Sequence, residues 1–299
     1  MSDPIRTENL RKEYRRVNAL NGLDLTVPEG AIYALVGPNG AGKTTAVKIL
    51  MNIFRPTSGR AEVLGTDSKR IAGQSFCSIG YVSENQKLPE WMRVDSFLTY
   101  LRPFYPSWDR DLENDLVKQF DLPRSRKLKQ LSRGMRMKAA LAAALAFRPR
   151  LIVLDEPLGG LDPLVRDELI EALLDQAAEA TILISSHDLA EIESFASHVG
   201  YLEAGSLVFS EQMGALAARF REVELTLDSS PALPGRYPTS WMQLNSGAAV
   251  VRFVASQFDE ARTTSEIAEV FGTSRNAVFT PMSLRSIFLA MAKAGRGNT

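Results

Sequence analysis

The segment that most restricts this chain is AIYALVGPNGAGKTT, residues 31 to 45. Its first part, Ala31 to Val36, is a short apolar run that reads as a strand, and Ala46 to Met51, just beyond it, reads as helix. The glycine-rich stretch between them fits G-x-x-x-x-G-K-[ST] in the strand, loop, helix setting that the pattern requires. Gly37, Gly40 and Gly42 let backbone N–H groups turn inward around phosphates. Lys43 then neutralises β and γ oxygens, the Thr44 hydroxyl is a hard oxygen ligand for Mg²⁺, and the positive end of the following helix favours the anion further. Gly37, Pro38, Asn39, Gly40, Ala41, Gly42, Lys43, Thr44 and Thr45 are therefore candidate ATP-binding positions.

Leu151 to Leu154 (LIVL) is a continuous apolar run, which suits a central parallel strand buried on both faces, and Asp155-Glu156-Pro157 follows at its carboxyl end. Ligands of open α/β sheets bind at that edge. Asp155 is placed to hold a Mg²⁺ shell beside Thr44, and Glu156 to orient and deprotonate an attacking water. Two carboxylates next to a triphosphate would be costly without the metal. The combination predicts nucleotide hydrolysis.

The rest of the composition sets bounds. A chain of 299 residues predicts two domains, at roughly 150 residues each. A formal net charge of zero supplies no global field to attract nucleic acid, so any basic site is local. One cysteine, Cys77, excludes an internal disulfide framework, suits a reducing cytoplasm, and is expected to be a small buried residue. The start has no apolar signal segment, and the strongest apolar stretch, Ala139 to Phe147, falls far short of the roughly 20 residues that span a bilayer. The chain is not expected to cross a membrane itself.

Six motifs occur in order: GPNGAGKTT (37–45), GYVSENQ (80–86), LSRGM (131–135), LIVLDEP (151–157), GGLD (159–162) and SSH (185–187). Over residues 5 to 210 the chain resembles the ATP-binding subunits of ATP-binding cassette (ABC) transporters. The resemblance implies an α/β fold: a P-loop cassette with a mostly parallel core sheet, an antiparallel β subdomain and a helical signature subdomain at about 85–148. It implies that Tyr14 stacks on adenine, and that Ser132 and Gly134 meet the γ-phosphate held by an opposite subunit. Asp162 links the two sites of such a dimer, and His187 senses the γ-phosphate and joins Glu156 and Lys43 as catalytic residues. His198 matches no motif position and reads as an ordinary polar residue. The implied cofactors are ATP and Mg²⁺. The implied partners are a transmembrane permease and a second ATP-binding subunit, identical or related, with no nucleic acid. The implied place is cytoplasmic, peripheral on the inner face of the cell membrane.

The chain departs from the family pattern at three positions. Arg133 and Met135 stand where the signature usually has glycine and glutamine, and Glu84 stands where a loop glutamine is usual. A carboxylate at Glu84 can still hold a metal-bound water, which makes it a third candidate at the metal with Thr44 and Asp155, but it adds repulsion beside Asp155, Glu156 and the phosphates. Gln86 would substitute if the loop shifted by two residues.

Between Glu84 and Leu131, Phe104, Tyr105 and Trp108 form an aromatic cluster that suits either a groove for a permease helix or the core of the helical subdomain. The basic run Arg124 to Lys138 reads as a solvated helix face plus the phosphate site, ahead of a nucleic-acid or anionic-membrane surface. The composition changes past residue 212, so domains of 1–212 and 213–299 are expected. Arg221 to Leu227 and Val250 to Val254 read as strands, Ser229 to Pro238 as loop, and Ser283 onward as a helix with Leu284, Ile287, Phe288 and Met291 on one face. These elements predict a small α+β accessory domain, whose PMSLRSIFLAM ending resembles exporter-type subunits. The competing readings are a soluble ABC ATPase acting on nucleic acid or ribosomes, and a slow-hydrolysing regulatory module. A second cassette or long heptad insertions, expected of the first, do not appear in the sequence.

Overall fold

The computed structural model describes residues 3–228, 235–272 and 275–296. The chain begins with β1 (Ile5–Tyr14), β2 (Val17–Leu23) and β3 (Thr26–Val27), then enters β4 (Ile32–Val36) and α1 (Lys43–Leu50). β5 (Ser58–Val63) and β6 (Thr66–Asp67) return to β1, building an antiparallel sheet of order β2-β1-β5-β6 with β3 also on β1. β7 (Ile79–Ser83) leads into a helical segment of α2 (Val94–Leu101), α3 (Arg110–Gln119) and α4 (Arg133–Leu145). After it come β8 (Leu151–Asp155), α5 (Pro163–Ala177), β9 (Thr181–Ser186), β10 (His198–Glu203) and β11 (Ser206–Gln212).

The second sheet runs β11-β10-β4-β9-β8-β7, with β10, β4, β9, β8 and β7 paired in parallel. β4 and β8 are buried along their whole length, as an unbroken apolar run in a sheet covered on both faces requires. Val36 pairs with Ser186, Ser185 with Asp155, and Asp155 with Ser83, so the carboxyl ends of four neighbouring strands lie level. That register creates the site. Leu10, Leu25 and Val27 of the antiparallel part close over Val47, Ile49 and Leu50 of α1 and over Leu35, Val153 and Leu183 of the parallel sheet in one apolar cluster. Each such buried side chain contributes about 1.5–3 kcal/mol, which fixes α1 and the loop before it.

The chain divides at Ser210/Glu211 into two compact units. The second contains α6 (Met213–Arg219), β12 (Arg221–Thr226), β13 (Trp241–Gly247), β14 (Val250–Ala255), α7 (Glu260–Phe271), β15 (Asn276–Pro281) and α8 (Leu284–Arg296). Its antiparallel sheet has the order β13-β14-β12-β15, and Trp241 stacks on Phe253 at 4.0 Å within a core that includes Val223, Leu225 and Ile267. The expected strands and final helix are present, whereas β13, α7 and β15 carry no strong sequence signal. A register shift between Met242 and Asn245, with Gln243 at φ 54°, breaks the alternation that would have marked β13. Of the loop expected at 229–238, residues 229–234 lie outside the described residues.

Two local expectations change. Cys77 is half-buried, because the short 3₁₀ segment Gly73–Ser78 that carries it buries none of its residues fully. The aromatic cluster divides: Tyr105 stacks on Phe147 at 4.0 Å, and the Trp108 indole donates to Glu113 at 2.9 Å, while Phe104 is exposed beside Tyr100. In the basic run Arg126, Lys127 and Lys129 are exposed, Arg124 pairs with Asp95 and Arg133 with Glu84 at the surface, and Lys138 is buried on Glu168.

Glu113 is the charged hub of the helical segment. It is 0% exposed, takes a two-pronged contact from Arg102 at 2.8 Å and lies 3.6 Å from Arg124. Burial by itself would raise its carboxyl, but Arg102, the Trp108 indole and Arg124 outweigh that and hold it below the usual range. A depressed folded-state carboxyl contributes stability that is present above the unfolded pKa and lost as pH falls through the folded one. Glu113→Gln should therefore destabilise the cassette by about 3 kcal/mol at neutral pH, since it strands Arg102 without a charge partner. Thermal melts at falling pH should show the gap between wild type and variant closing on the acid side of about pH 4.3.

Candidate functional site

Four strand ends supply the site. β4 runs into the P-loop, β8 ends on Asp155 and Glu156, β9 runs into His187, and β7 runs into Glu84. The loop is tight: a Cβ at Gly42, where φ is 110°, would lie 2.3 Å from the Ala19 carbonyl oxygen, and one at Gly37 would lie 2.1 Å from that of Leu202. Only glycine fits that approach. Lys43, the first residue of α1, is 5% exposed, and its Nζ donates to the Gly37 and Pro38 carbonyls at 2.7 and 3.3 Å. The same ammonium lies 3.2 Å from Glu156 Oε1.

The Thr44 hydroxyl donates to Asp155 Oδ1 at 3.0 Å. Ser185, 0% exposed, donates to the same oxygen at 2.8 Å and accepts from the Glu156 backbone N–H at 3.0 Å. Glu156 sits at φ 53°, a left-handed conformation that costs a non-glycine residue about 1–2 kcal/mol. The turn brings its Oε2 to 2.7 Å from His187 Nδ1 and 3.3 Å from the His187 N–H. A carboxylate only accepts, so Nδ1 carries the proton of this contact. Behind His187, the Glu191 carboxyl is raised by burial, against the opposing pull of Arg166 at 2.9 Å and the Ser186 hydroxyl.

Lys43, Thr44, Glu156 and His187 line a cavity of about 510 Å³ with Tyr14, Asn39, Gly40, Ala41, Gly42, Thr45 and Glu84, and Asp155 lies behind Thr44, bonded to its hydroxyl. A basic, glycine-lined loop at a helix N-terminus, with a carboxylate turned against both a lysine and a histidine, is suited to a polyphosphate and a proton transfer.

The comparisons with known proteins agree with that chemistry. A family model described as ABC transporter matches residues 20–159. The bacitracin transport ATP-binding protein BcrA of Enterococcus faecalis is 33% identical over 222 residues, 73% of this chain and 72% of that protein. The chain belongs to the ABC transporter ATP-binding proteins. It is an ABC-type ATPase. The ABC transporter ATP-binding protein YtrB of Bacillus subtilis is 27% identical over 288 residues, 96% of this chain and 97% of its own, so that likeness runs through the second unit too. A solved structure of an ATP-binding subunit of an ABC transporter superposes with a TM-score of 0.66 at 26% identity, over 72% of this chain and 92% of that one.

The other positions of this ABC ATPase divide by location. Tyr14 stands at the cavity rim, 42% exposed, with its edge toward Phe54 and Lys12 Nζ 5.1 Å from its ring centre. Ser132, Gly134 and Asp162 do not line the cavity. Ser132 caps α4, its hydroxyl accepting from the Met135 N–H at 3.2 Å, and Asp162 caps α5 through the Val165 N–H at 3.1 Å. Gly134 is packed so closely that a Cβ would lie 3.1 Å from Val165 Cγ1. Gln86 accepts from the Ser83 N–H at 3.4 Å and lines a neighbouring cavity, so the loop keeps Glu84 in register. Glu84 is engaged by Arg133 at 2.6 Å, and no three His, Cys, Asp or Glu side chains converge as a metal site among the described residues. His198 faces Tyr33 at 6.4 Å and lies 3.0 Å from the Ser197 hydroxyl.

Sequence reading did not single out Ser185 as a site residue. Its signal is faint, a hydroxyl closing an apolar strand, and its two bonds are visible only across strands. Ser185→Ala removes one of two donors to Asp155 Oδ1, which keeps Thr44, and one of two acceptors of the Glu156 N–H, which keeps the Ser185 carbonyl at 3.2 Å, a loss of about 1 kcal/mol. Denaturant midpoints should fall accordingly, and steady-state turnover should fall at least about tenfold, because displacement of a reacting group by 1 Å is that costly.

Proposed function

We propose that this ATPase binds ATP with Mg²⁺, dimerises on it, and powers a separate membrane permease, with export as the direction. The observation that carries the reading is the division of the motifs. The P-loop, Glu156 and His187 line one cavity, with Asp155 bonded to Thr44 behind it, while Ser132, Gly134 and Asp162 lie outside it in the same chain. The site is then completed by LSRGM of a second ATP-binding subunit, whose α4 N-terminus presents N–H groups to the γ-phosphate. No helix among the described residues is long and apolar enough to cross a membrane; the separate permease and the peripheral place on the cytoplasmic face are taken from the family resemblance. Export is supported by the chain's ending and by the likeness to BcrA, named for bacitracin transport. The accessory domain is assigned to residues 213–299.

Within the cavity each residue has a task. The P-loop N–H groups and Lys43 hold the phosphates, Tyr14 stacks on adenine at about 1–3 kcal/mol by analogy with bases on aromatic rings, and Glu156 takes a proton from the attacking water. His187 holds Glu156 through Nδ1, and Nε2 meets the γ-phosphate as a donor, when it carries a proton as well. The donor set fits Mg²⁺: two hard oxygens, Thr44 Oγ1 and Asp155 Oδ1, already 3.0 Å apart. That ion would be held by Thr44 and Asp155 and would neutralise charge on the β and γ oxygens.

Glu156→Gln should keep ATP binding and lose turnover by about 10²–10⁴-fold, as removal of a general base does. Trapped with Mg²⁺ and ATP and pulled from gently solubilised native membranes, it should bring down a multi-span membrane protein in fixed ratio. Recovery of ribosomes or DNA alone would overturn the permease reading. In size-exclusion chromatography the trapped variant should elute as a dimer with ATP, and adding Ser132→Arg should abolish the dimer while each chain still binds nucleotide.

A further inference from the structure

Three carboxylates gather at the cavity that receives the triphosphate, Glu84 and Glu156 in its lining and Asp155 behind Thr44, and two are accounted for. Asp155 accepts from the Thr44 and Ser185 hydroxyls, and Glu156 is paired with Lys43. The third, Glu84, is held in place by its own N–H, which donates to the Asp155 carbonyl at 2.9 Å. Its cation comes from outside the cavity. Arg133 Nη2 lies 2.6 Å from Glu84 Oε1 and donates also to the Gly159 carbonyl at 2.6 Å.

Arg133 does not line the nucleotide cavity; it lines the adjoining one, of about 560 Å³, with Glu84 in the wall common to both. Its slot is shaped for it. Gly160 has φ 66°, and a Cβ there would lie 3.0 Å from Arg133 Nη1, so a side chain at 160 would crowd the guanidinium. One side chain on the first turn of α4 thus ties the loop after β7 to the loop after β8, on either side of Asp155 and Glu156.

We propose that Arg133 is a positioning residue for ATP turnover that acts through Glu84 of the same chain: it neutralises that carboxylate and holds it at Gly159, so that the cavity accepts Mg²⁺-ATP. The two residues then work as a pair. A lone Glu84 charge faces the phosphates with nothing to offset it, whereas the pair is neutral, as an uncharged residue at 84 would be without Arg133. The effect is a fixed-charge one and does not depend on Glu84 changing its protonation. The inference rests on the reading of the P-loop cavity as the nucleotide site.

The test uses the full chain as wild type, Arg133→Ala, Glu84→Gln and the double variant, with Mg²⁺-ATP affinity by competition against a fluorescent ATP analogue, and kcat and KM for hydrolysis. Arg133→Ala should weaken binding and raise KM about tenfold, the size of an uncompensated charge a few ångströms from phosphate in a half-wet cleft. Adding Glu84→Gln should return both to within about threefold of wild type, a recovery that a structural role for Arg133 would not give. The Arg133→Ala defect should shrink as salt is raised, because exposed charge is screened. Arg133→Lys, which keeps the charge, should stay close to wild type and serves where the alanine variant does not fold.

Additive losses in the double variant would overturn the proposal, as would an Arg133→Lys variant as weak in ATP binding as Glu84 without any cation. A fall in kcat alone that Glu84→Gln does not rescue would instead place Arg133 on the γ-phosphate of the opposite subunit and overturn the same-chain pairing. Lys43→Ala separates the two levels. If it leaves ATP binding intact, the P-loop reading fails; if it abolishes binding while the double variant shows no rescue, only the pairing fails.

Discussion

The Ser185 hydroxyl holds the site together. Parallel pairing sets the ends of β4, β9, β8 and β7 level, but it leaves the side chains beyond those ends free to turn. Ser185 removes that freedom for two residues at once, donating to Asp155 and accepting from the Glu156 N–H. Because Asp155 also accepts from Thr44, the first turn of α1 is bound to the end of β8 by side chains as well as by the apolar layer beneath. Glu156 can then be carried in a left-handed backbone conformation. Strain of that kind persists where its surroundings over-determine it, and here the Ser185 bond, the Lys43 ion pair and the two His187 contacts all act on one residue.

Charge balance is the second organising constraint. A P-loop cavity gathers negative charge from its ligand and from its own acids, and each acid here has a compensating group from a different segment. Lys43 and the Thr44 hydroxyl come from the start of α1, the Ser185 hydroxyl from β9, and Arg133 from the helical segment. The helical segment therefore contributes to the electrostatics of the cavity without entering it. The same segment keeps its own buried acid, Glu113, ionised by surrounding it with Arg102, Arg124 and the Trp108 indole. Both devices set an arginine against a carboxylate, one in the packing of the helical segment and one at the edge of the chemistry.

The parts legible in the sequence are those in which chemistry demands adjacency. Lys43 beside Thr44, and Asp155 beside Glu156, follow a run of apolar residues because a strand must deliver them to one sheet edge, and such runs can be read directly. Glu84 and Arg133 stand 49 positions apart, and neither looks other than a departure from pattern until the fold brings them to 2.6 Å. Ser185 is hidden for the same reason, since its partners lie on another strand. β13 escapes because a shift in register interrupts its alternation, and Cys77 is less buried than its residue type suggests because a short 3₁₀ turn carries it. RPFYPSWD suited two readings because it contains both, with Tyr105 and Trp108 turned inward and Phe104 outward.

Two residues that the family resemblance assigns to a neighbouring subunit already have work inside this chain. Ser132 and Asp162 cap α4 and α5, which satisfies one otherwise unpaired N–H at each helix start and fixes the direction in which the others point. Capping and recognition are compatible: a hydroxyl has two lone pairs and a donor hydrogen, and a carboxylate has a second oxygen. Gly134 adds to this by letting α4 approach Val165 of α5 with no Cβ between them, so the two capped ends are fixed relative to each other. On the reading proposed above, such rigidity is what a surface that completes another subunit's site needs. Binding energy spent on ordering a loose signature turn would be unavailable for holding the dimer closed on ATP.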